Sequence, residues 1–379
     1  MVKMKSVVMV SCAVLCKKEG LADYFRQRTV DFYLLNVIPK FLRTRKPVCE
    51  HYQDGKLVAV FPVFSMPAAV TNRLPAASYL GYVLAIVQVF IKTHRRFELF
   101  IGEGHIYSLT GVLMKKLGLI RRIAYSSGDY FTDVRSFKLI DKVVARHVDV
   151  IWCASDLMRK QREKDLPGLK FAPQLVMPLG VTMRPDPVLT KTQDAETILF
   201  MGNIQAHQGI DLIIDAFGEV KKSRPNIVLE IVGRGPYLES AQNKVADMGL
   251  SSSVIFHGFI DDEQKLDEIF KRSIVGMALY HPELSSFTRL SDPGKIKDYL
   301  SAGLPVITTN VFPFSQEVGE SGAGMVVSYD KNAVIAALEE IIDPARTAKF
   351  RAAAVQLAHK YLWPNVMSKT MEQSQQVWS

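Results

Sequence analysis

Short apolar runs rich in Val, Ile and Leu alternate with longer stretches of helical periodicity, and this alternation occurs twice along the chain. In the first half the predicted strands are 7–12, 32–37, 57–61, 99–102, 122–125 and 150–153, and the predicted helices are 78–92, 109–117 and 137–147. The pattern pauses over 183–192, which contains Pro185 and Pro187 and lacks periodicity. It then restarts with strands 197–200, 227–232, 254–256, 275–278, 306–309 and 324–327, and with helices 210–222, 236–248, 263–270 and 293–301.

Continuously apolar strands separated by helices are typical of parallel sheets covered on both faces. The sequence therefore predicts an α/β chain of two doubly wound, Rossmann-like domains, with a site in the cleft between them. The predicted domains are 1–183 and 193–345, and 346–379 is expected to form helices that can cross back to the first domain. A length of 379 residues suits two domains, and 48% hydrophobic with 22% charged residues excludes a disordered or fibrous chain.

The charge is unevenly divided. Residues 1–185 hold 29 Lys and Arg against 14 Asp and Glu, a formal charge of +15, whereas 186–379 carry −6. The first half is therefore predicted to face something anionic. The uncharged stretch 74–91 predicts either a helix packed on a sheet or one lying partly in a membrane surface; Pro75 and Gln88 disfavour a span. No nucleic-acid recognition module is evident.

The cysteines and the N-terminal residues indicate the cellular compartment in which the chain is expected to lie. Cys12, Cys16, Cys49 and Cys153 form no Cys-x-x-Cys pair, which fits neither a disulfide framework nor a zinc site and favours reducing conditions. The apolar stretch 7–15 runs into charged residues, so we expect a first strand rather than a cleavable signal. The expected location is cytoplasmic, or peripheral on the inner face of the membrane.

Two glycine turns open the second half. Residues 200–209, Phe-Met-Gly-Asn-Ile-Gln-Ala-His-Gln-Gly, form a strand running into a loop before a helix, where backbone N–H groups and a helix end can hold phosphate. Residues 232–236, Val-Gly-Arg-Gly-Pro, repeat this form and add the Arg234 guanidinium. Leu238 occupies the last position of a Gly-x-Gly-x-x-Gly pattern, which argues against a nicotinamide dehydrogenase.

The most specific motif is residues 291–307, Ser-Asp-Pro-Gly-Lys-Ile-Lys-Asp-Tyr-Leu-Ser-Ala-Gly-Leu-Pro-Val-Ile. Asp292 is predicted to cap a helix whose first turn contains Pro293. Lys295 and Asp298 are three residues apart and share one face, so a cation and a carboxylate could hold a diphosphate and a ribose. Lys297 lies off that face, and its replacement by Ala is expected to reduce turnover much less than that of Lys295.

In this order, these motifs and His-Gly-Phe at 257–259 resemble glycosyltransferase family 4, in the branch with Gln-Gly-Ile-Asp and Asp-Pro-Gly-Lys-Ile-Lys-Asp-Tyr-Leu. The resemblance implies the GT-B fold, two facing Rossmann-like domains with the nucleotide-sugar donor held mainly by the second. Asn203 and Gln208 stand where the family usually has Arg and Lys, so Lys295, with Arg234 as a second candidate, must supply the positive charge. Asp298 keeps the family's second carboxylate, and Leu290 replaces the first.

The donor-site residues implied by this resemblance are Gly202, Asn203, Gln208, Arg234, Phe259, Ile260, Ser291, Lys295 and Asp298. Phe259 and Ile260 would present backbone groups to the nucleobase. In the first half, Asp129 is either the leading site candidate or a helix-cap or turn carboxylate. Glu103 and His105 are the second pair, with His105 alternatively a loop histidine that makes a local hydrogen bond. Glu283 and Arg289, in the loop 280–290, could reach the sugar or could lie on a solvated surface. The catalytic candidates are Asp129, Lys295 and His105.

Breaking a sugar–phosphate bond places negative charge on the leaving diphosphate, so fixed cations should dominate catalysis. The sequence lacks an Asp-x-Asp pattern that would suggest a metal site. No cofactor is expected, and the donor substrate is expected to be a UDP- or GDP-linked sugar. The resemblance implies retention of anomeric configuration. The expected function is transfer to a glycan or polyprenyl-linked acceptor in cell-surface polysaccharide synthesis, near an anionic membrane surface. The alternatives are an inactive GT-B partner subunit and a nucleotide-sugar epimerase.

Overall fold

The computed structural model describes residues 3–11, 19–37, 47–73, 77–131, 134–185, 187, 197–283 and 288–378. Cys12, Cys16, the start of the 74–91 stretch, most of the predicted linker and residues 284–287 lie outside them. The chain divides into two compact units, Met1–Gly180 with Trp363–Ser379, and Val181–Leu362.

The first unit is built on an eight-stranded sheet. Its strands are β1 (Met4–Ser11), β2 (Thr29–Asn36), β3 (Val48–Gln53), β4 (Lys56–Pro62), β5 (Phe97–Glu103), β6 (Ile120–Ser127), β7 (Val150–Cys153) and β8 (Gln174–Val176). Its helices up to this point are α1 (Glu19–Arg28), α2 (Ala68–Arg73), α3 (Ala77–Thr93), α4 (His105–Lys116), α5 (Arg135–His147) and α6 (Asp156–Asp165). The strand order is β4-β3-β2-β1-β5-β6-β7-β8, and Met9 of β1 pairs with Leu34 of β2 and Ile101 of β5.

One edge of this sheet corrects the sequence prediction of a wholly parallel first half. β3 was not predicted, and it pairs antiparallel with both β2 and β4. Asp54 and Gly55 connect β3 to β4, and both have positive φ, 47° and 84°, which suits a tight hairpin turn. The predicted strand at 57–61 is therefore the outermost strand of a hairpin, because a two-residue turn can only join antiparallel neighbours.

The second unit contains a six-stranded parallel sheet, ordered β11-β10-β9-β12-β13-β14. Its strands are β9 (Thr197–Met201), β10 (Val228–Val232), β11 (Val254–Gly258), β12 (Ser273–Ala278), β13 (Val306–Thr309) and β14 (Gly324–Val327). Its helices are α7 (Ile210–Ser223), α8 (Leu238–Asp247), α9 (Glu263–Arg272), α10 (Gly294–Ser301), α11 (Pro313–Glu320), α12 (Lys331–Ile342) and α13 (Pro344–Lys360), with short 3₁₀ helices at Ala206–Gln208 and Thr288–Leu290.

Both faces of the second sheet are covered, as its apolar strands predict. Ile198 and Phe200 of β9 pack in a cluster with residues of α7, α8 and α12, whereas Leu199 between them belongs to a cluster with α9, α10 and α13. Successive side chains of a strand point to opposite faces. The predicted second doubly wound sheet is therefore present.

The last helix, α14 (Trp363–Trp378), belongs to the first unit. Trp152 of β7 donates from its indole Nε1 to the Ser374 hydroxyl at 3.0 Å. A Cβ on Gly20 or Gly180 would lie 2.0 or 2.3 Å from ring atoms of Trp363. The two glycines therefore make room for the indole that anchors the start of α14. Among the helices described, none is long and apolar enough to cross a membrane.

Candidate functional site

Glycine turns interlock at the carboxyl edge of the second sheet. Gly202 follows β9 with φ 146°, and Gly233 follows β10 with φ 140°; both values favour glycine. Gly202 N–H donates to the Val232 carbonyl at 2.9 Å, and Gly233 N–H donates to the Gly258 carbonyl at 2.7 Å. A Cβ on Gly233 would lie 1.8 Å from the Gly202 carbonyl oxygen. The ends of β9, β10 and β11 are thus held together as one surface.

Lys295 of α10 lies against this surface. Its Nζ donates to Gln208 Oε1 at 2.5 Å, and it lies 4.4 Å from the ring centroid of Phe200 and 5.1 Å from that of Tyr280. A Cβ on Gly202 would be 3.0 Å from Lys295 Nζ. The sequence placed Gly202, Gln208 and Lys295 in one site, and the structure brings these three together.

The charge of Lys295 is poorly compensated. Burial lowers the pKa of its ammonium to about 7 because low-polarity surroundings disfavour the charged form. Within the described chain, no carboxylate lies at ion-pair distance from Nζ. The hydrogen bond from Nζ goes to the neutral amide of Gln208. The site therefore contains a lysine ammonium surrounded by dipoles and aromatic rings. An incoming anion would stabilise the charged form of this ammonium.

His207 is a site residue that sequence reasoning missed. It lies in the 3₁₀ turn next to Gln208, and its carbonyl accepts from His281 N–H at 3.0 Å. Burial, assisted by the charge of Lys295, lowers the pKa of its imidazole, which favours the neutral ring. Its place inside the 200–209 motif is the signal that could have identified it.

The start of α10 corrects two predictions. Pro293, not Asp292, occupies the N-cap position, and no side chain caps the helix. Asp292 instead pairs with Lys297 at 2.6 Å, and both side chains are buried. Lys297 Nζ also lies 4.2 Å from the ring centroid of Tyr361. Replacing Lys297 would leave a buried carboxylate uncompensated, so Lys297 is not the mild control that the sequence suggested.

The shared face of Lys295 and Asp298 is visible in the burial pattern of α10. Both are partly exposed, whereas the residues between and after them are buried. Tyr299 is one of these, and its hydroxyl accepts from Met201 N–H at 2.6 Å. This bond ties α10 to the end of β9. Ser291 precedes the helix and is partly exposed.

Arg234 and Phe259 form the outer part of this edge. The Arg234 guanidinium carbon lies 4.9 Å from the Phe259 ring centroid, and both side chains are exposed. Ile204 N–H donates to the Arg234 carbonyl at 2.9 Å, which joins this turn to the segment after Asn203. Ile260 packs partly buried against the core. The predicted residues Asn203, Arg234, Phe259 and Ile260 therefore lie on adjacent turns.

The segment after β12 is anchored at Tyr280, the second residue beyond the strand. Thr309 Oγ1 accepts from Tyr280 N–H and donates to the Tyr280 carbonyl, both at 2.9 Å. Arg289 donates to the Pro282 carbonyl, so part of its hydrogen-bonding capacity is used within the loop. Leu290 is 8% exposed, as expected for an apolar side chain. Glu283 N–H donates to the His281 ring.

Glu103, His105 and Asp129 belong to the first unit. Glu103 ends β5 and accepts from the Ser11 hydroxyl, and Asp129 is exposed after β6. His105 begins α4, with its ring 4.5 Å from that of Phe137. Burial lowers the pKa of its imidazole although Asp141 opposes the shift. All three lie at the carboxyl edge of the first sheet, as predicted.

A buried ionic cluster under this edge was not predicted. Arg162 is fully buried; its Nε donates to Asp141 at 3.0 Å and its Nη2 donates to the Ser127 hydroxyl at 2.6 Å. Tyr125 donates to the other Asp141 oxygen at 2.9 Å. The cluster fixes the end of β6, from which the Asp129 loop departs. Arg162 is one of several basic residues in a helix rich in charge, so nothing in the sequence distinguishes it.

The second unit is similar to known glycosyltransferases. Residues 185–357 match the family model described as glycosyl transferases group 1. A GDP-mannose-dependent alpha-(1-6)-phosphatidylinositol monomannoside mannosyltransferase from Mycolicibacterium smegmatis is 28% identical over 160 residues, 41% of each chain. A D-inositol 3-phosphate glycosyltransferase from Acidothermus cellulolyticus is 24% identical over 184 residues, 46% of this chain and 39% of that protein. The matches span about two fifths of the length of these relatives.

Solved structures extend the likeness to the whole chain. Sucrose-phosphate synthase from Thermosynechococcus elongatus superposes with a TM-score of 0.72 at 14% identity, covering 99% of both chains. Anabaena HepE, solved with UDP and glucose, gives 0.66 at 14% identity over 97% of this chain and 99% of that one. The chain therefore has the predicted GT-B fold. The match of residues 185–357 to the glycosyl transferases group 1 model supports, for that part of the chain, the prediction of a glycosyltransferase.

Proposed function

We propose that the chain is a retaining, metal-independent glycosyltransferase of family 4. It moves a sugar from a UDP- or GDP-linked donor to a glycan or lipid-linked acceptor in cell-surface polysaccharide synthesis. One observation carries the proposal: the Lys295 residue is partly exposed, but its ammonium is buried against the interlocked glycine turns and has no carboxylate partner among the described residues. A relative described as GDP-mannose-dependent and a neighbour solved with UDP and glucose add support.

The proposed role of Lys295 is to bind the donor diphosphate. A buried cation beside a phosphate interacts far more strongly than it would in water. The charge that develops on the leaving diphosphate is stabilised best by groups fixed in place before the reaction. Arg234 is exposed, so we assign it to the rim of the site, where it assists binding together with the Phe259 ring. Gly202, Asn203, Gln208, Ile260, Ser291 and Asp298 complete the proposed donor site.

The reaction breaks the bond between the sugar anomeric carbon and the diphosphate oxygen. The acceptor hydroxyl oxygen bonds to that carbon on the same face, which retains the configuration, and its proton passes to the leaving diphosphate. The nucleoside diphosphate is then released. No protein base is required by this scheme. We assign Asp129 and His105 to the acceptor or donor sugar; burial lowers the pKa of His105, which favours its neutral ring.

We further propose that the acceptor is presented at an anionic surface, the inner face of a membrane, with the chain in the cytoplasm. The charge supports this: residues 1–185 carry 29 Lys and Arg and only 14 Asp and Glu. An anionic bilayer attracts such a basic unit, at about 1 kcal/mol for each Lys or Arg near the surface. The proposed donor site lies in the acidic second half, so few of the Lys and Arg residues of 1–185 are needed to bind the donor. The rest are available to bind an anionic surface.

The test is release of nucleoside diphosphate from a panel of UDP- and GDP-sugars with a lipid-linked or glycan acceptor. Lys295→Met should lower turnover about 100-fold, the effect of losing one fixed stabilising group. The matched control is Lys349→Ala, an exposed lysine of α13, which should match wild type. No turnover with any donor by a folded protein would favour an inactive partner subunit. Sugar epimerisation without an acceptor would favour an epimerase.

A further inference from the structure

The outward face of α3 is apolar. Leu80, Leu84 and Ile91 are 54%, 39% and 62% exposed, and Val87 between them is partly exposed. Their spacing of 4, 7 and 11 residues places them on one side of a helix. The solvent side of a surface helix is normally polar, so this stripe, named here the α3 face, is unusual for a chain surrounded by water.

A groove runs beside the α3 face. It has a volume of about 620 Å³ and lies between α3 and the segment after β4, lined by Pro62, Val63, Phe64, Leu84, Val87, Gln88, Ile91 and Lys92. The amide of Gln88 accepts from Phe64 N–H at 2.6 Å, so its oxygen is engaged in holding the groove together. The groove therefore offers mainly apolar surface to a ligand.

The hairpin edge extends this apolar surface. Leu57, Val58 and Val60 of β4 are 53%, 51% and 53% exposed, and β4 is the outermost strand of its sheet. Natural edge strands usually carry charges that prevent association. The end of β4 reaches α3, because Lys92 Nζ lies 4.9 Å from the Phe61 ring centroid.

The charges along this stretch of sequence have one sign, although Arg95 is paired with Asp31 of β2. Residues 55–97 contain five Lys or Arg and no Asp or Glu. Arg73 ends α2 and Arg96 follows α3, and both are exposed. A second copy of this chain would bring equal charges together, which disfavours self-association. An apolar face with cations at its margins instead complements a surface with anionic head groups and apolar chains below them.

We propose that the α3 face docks on an anionic lipid bilayer, with α3 in the plane of the interface and Leu80, Leu84 and Ile91 among the acyl chains. The basic residues at its ends then lie at the level of the lipid phosphates. The docking proposal names the surface that meets the membrane in the proposed function. It rests on that function only in assuming that the acceptor is linked to a lipid.

The first experiment is co-sedimentation of the full chain with vesicles, without any sugar donor. The chain should bind vesicles of phosphatidylcholine with phosphatidylglycerol, and much less to phosphatidylcholine alone. Replacing Leu80, Leu84 and Ile91 by Ser should lower the partition coefficient at least tenfold. The control carries three Leu→Ser changes at exposed positions elsewhere in this unit: Leu113, Leu117 and Leu139.

A second pair of variants tests the charges. Arg73→Gln with Arg96→Gln should weaken binding about fivefold for each residue. The control, Arg121→Gln with Arg146→Gln, removes the same charge from exposed positions in β6 and α5 and should bind like wild type.

Three results would overturn the docking proposal: no binding to anionic vesicles, equal losses in variants and controls, or a dimer in light scattering that the triple Ser variant converts to a monomer. The first would exclude a bilayer, the second a localised contact, and the third would assign the face to a second copy. Release of nucleoside diphosphate, measured with a soluble acceptor and no vesicles, tests the proposed function separately. A loss of vesicle binding with normal release would therefore refute the docking alone.

Discussion

Donor binding should draw a proton onto Lys295. Its pKa lies near 7 without ligand because its ammonium is buried, so at pH 8 about nine tenths of the molecules carry a neutral amine. A bound diphosphate favours the charged form. Binding UDP or GDP at pH 8 should therefore take up about 0.9 proton, whereas binding at pH 6 should take up about 0.1 at this residue.

The energy behind this uptake follows from the same shift. A fall from 10.5 to about 7 corresponds to roughly 4 kcal/mol once the partial exposure of the side chain is allowed for. Because the folded-state pKa is the lower one, the unfolded chain binds more protons between pH 7 and 10.5, and stability rises with pH across that window. Lys295→Met should therefore be more stable than wild type at pH 6, and the difference should shrink towards pH 10.

The assay is isothermal titration calorimetry at pH 8 in several buffers of different ionisation enthalpy, whose slope gives the protons taken up. At this pH a terminal phosphate with a pKa of about 6 is already ionised. Lys295→Met should take up no proton, and His207→Gln, the control for the neighbouring imidazole, should retain most of the uptake. Equal uptake by wild type and Lys295→Met would refute the assignment of Lys295 to the diphosphate.

Three further predictions concern the surrounding structure. Gly233→Ala should lower the free energy of unfolding by more than 3 kcal/mol in a urea titration, since its Cβ would lie 1.8 Å from a carbonyl oxygen; an unchanged midpoint would contradict the packing. Arg234→Ala should weaken nucleotide affinity about tenfold in calorimetry while leaving stability within about 0.5 kcal/mol, because the guanidinium is exposed over Phe259; unchanged affinity would remove it from the site. Arg162→Met should destabilise the chain by about 3–5 kcal/mol by leaving Asp141 buried without its cation, and Arg162→Met with Asp141→Leu should recover part of that loss; no recovery would show that the two do not act as a pair.

Most of the second sheet could be predicted from sequence because its signals are local. The apolar run at 197–200 lies within β9 (Thr197–Met201), and the glycines at 202 and 233 mark the turns that follow β9 and β10. The parallel order then brings those turns to one edge. Lys295 follows a proline and a glycine that mark the start of a helix, so its place at the same edge was also predictable.

The predictions that were wrong, for β3 and for Asp292, failed because the sequence carries no local signal for these features. The strand β3 contains Glu50, His51 and Gln53 and lacks a continuous apolar run, so periodicity did not reveal it or the antiparallel hairpin. The role of Asp292 depends on Lys297, five residues later, whose burial is decided by packing against Tyr361. Side-chain pairs of that kind are set by tertiary contacts. No local pattern encodes them.

The donor site is tested most directly by a crystal structure of the chain with bound UDP or GDP. The diphosphate should lie on the turns that contain Gly202 and Gly233, with a phosphate oxygen within about 3 Å of Lys295 Nζ. The hydrogen bond from Nζ to Gln208 should lengthen or be shared with the phosphate. A diphosphate bound elsewhere, with Lys295 still bonded only to Gln208, would contradict the account.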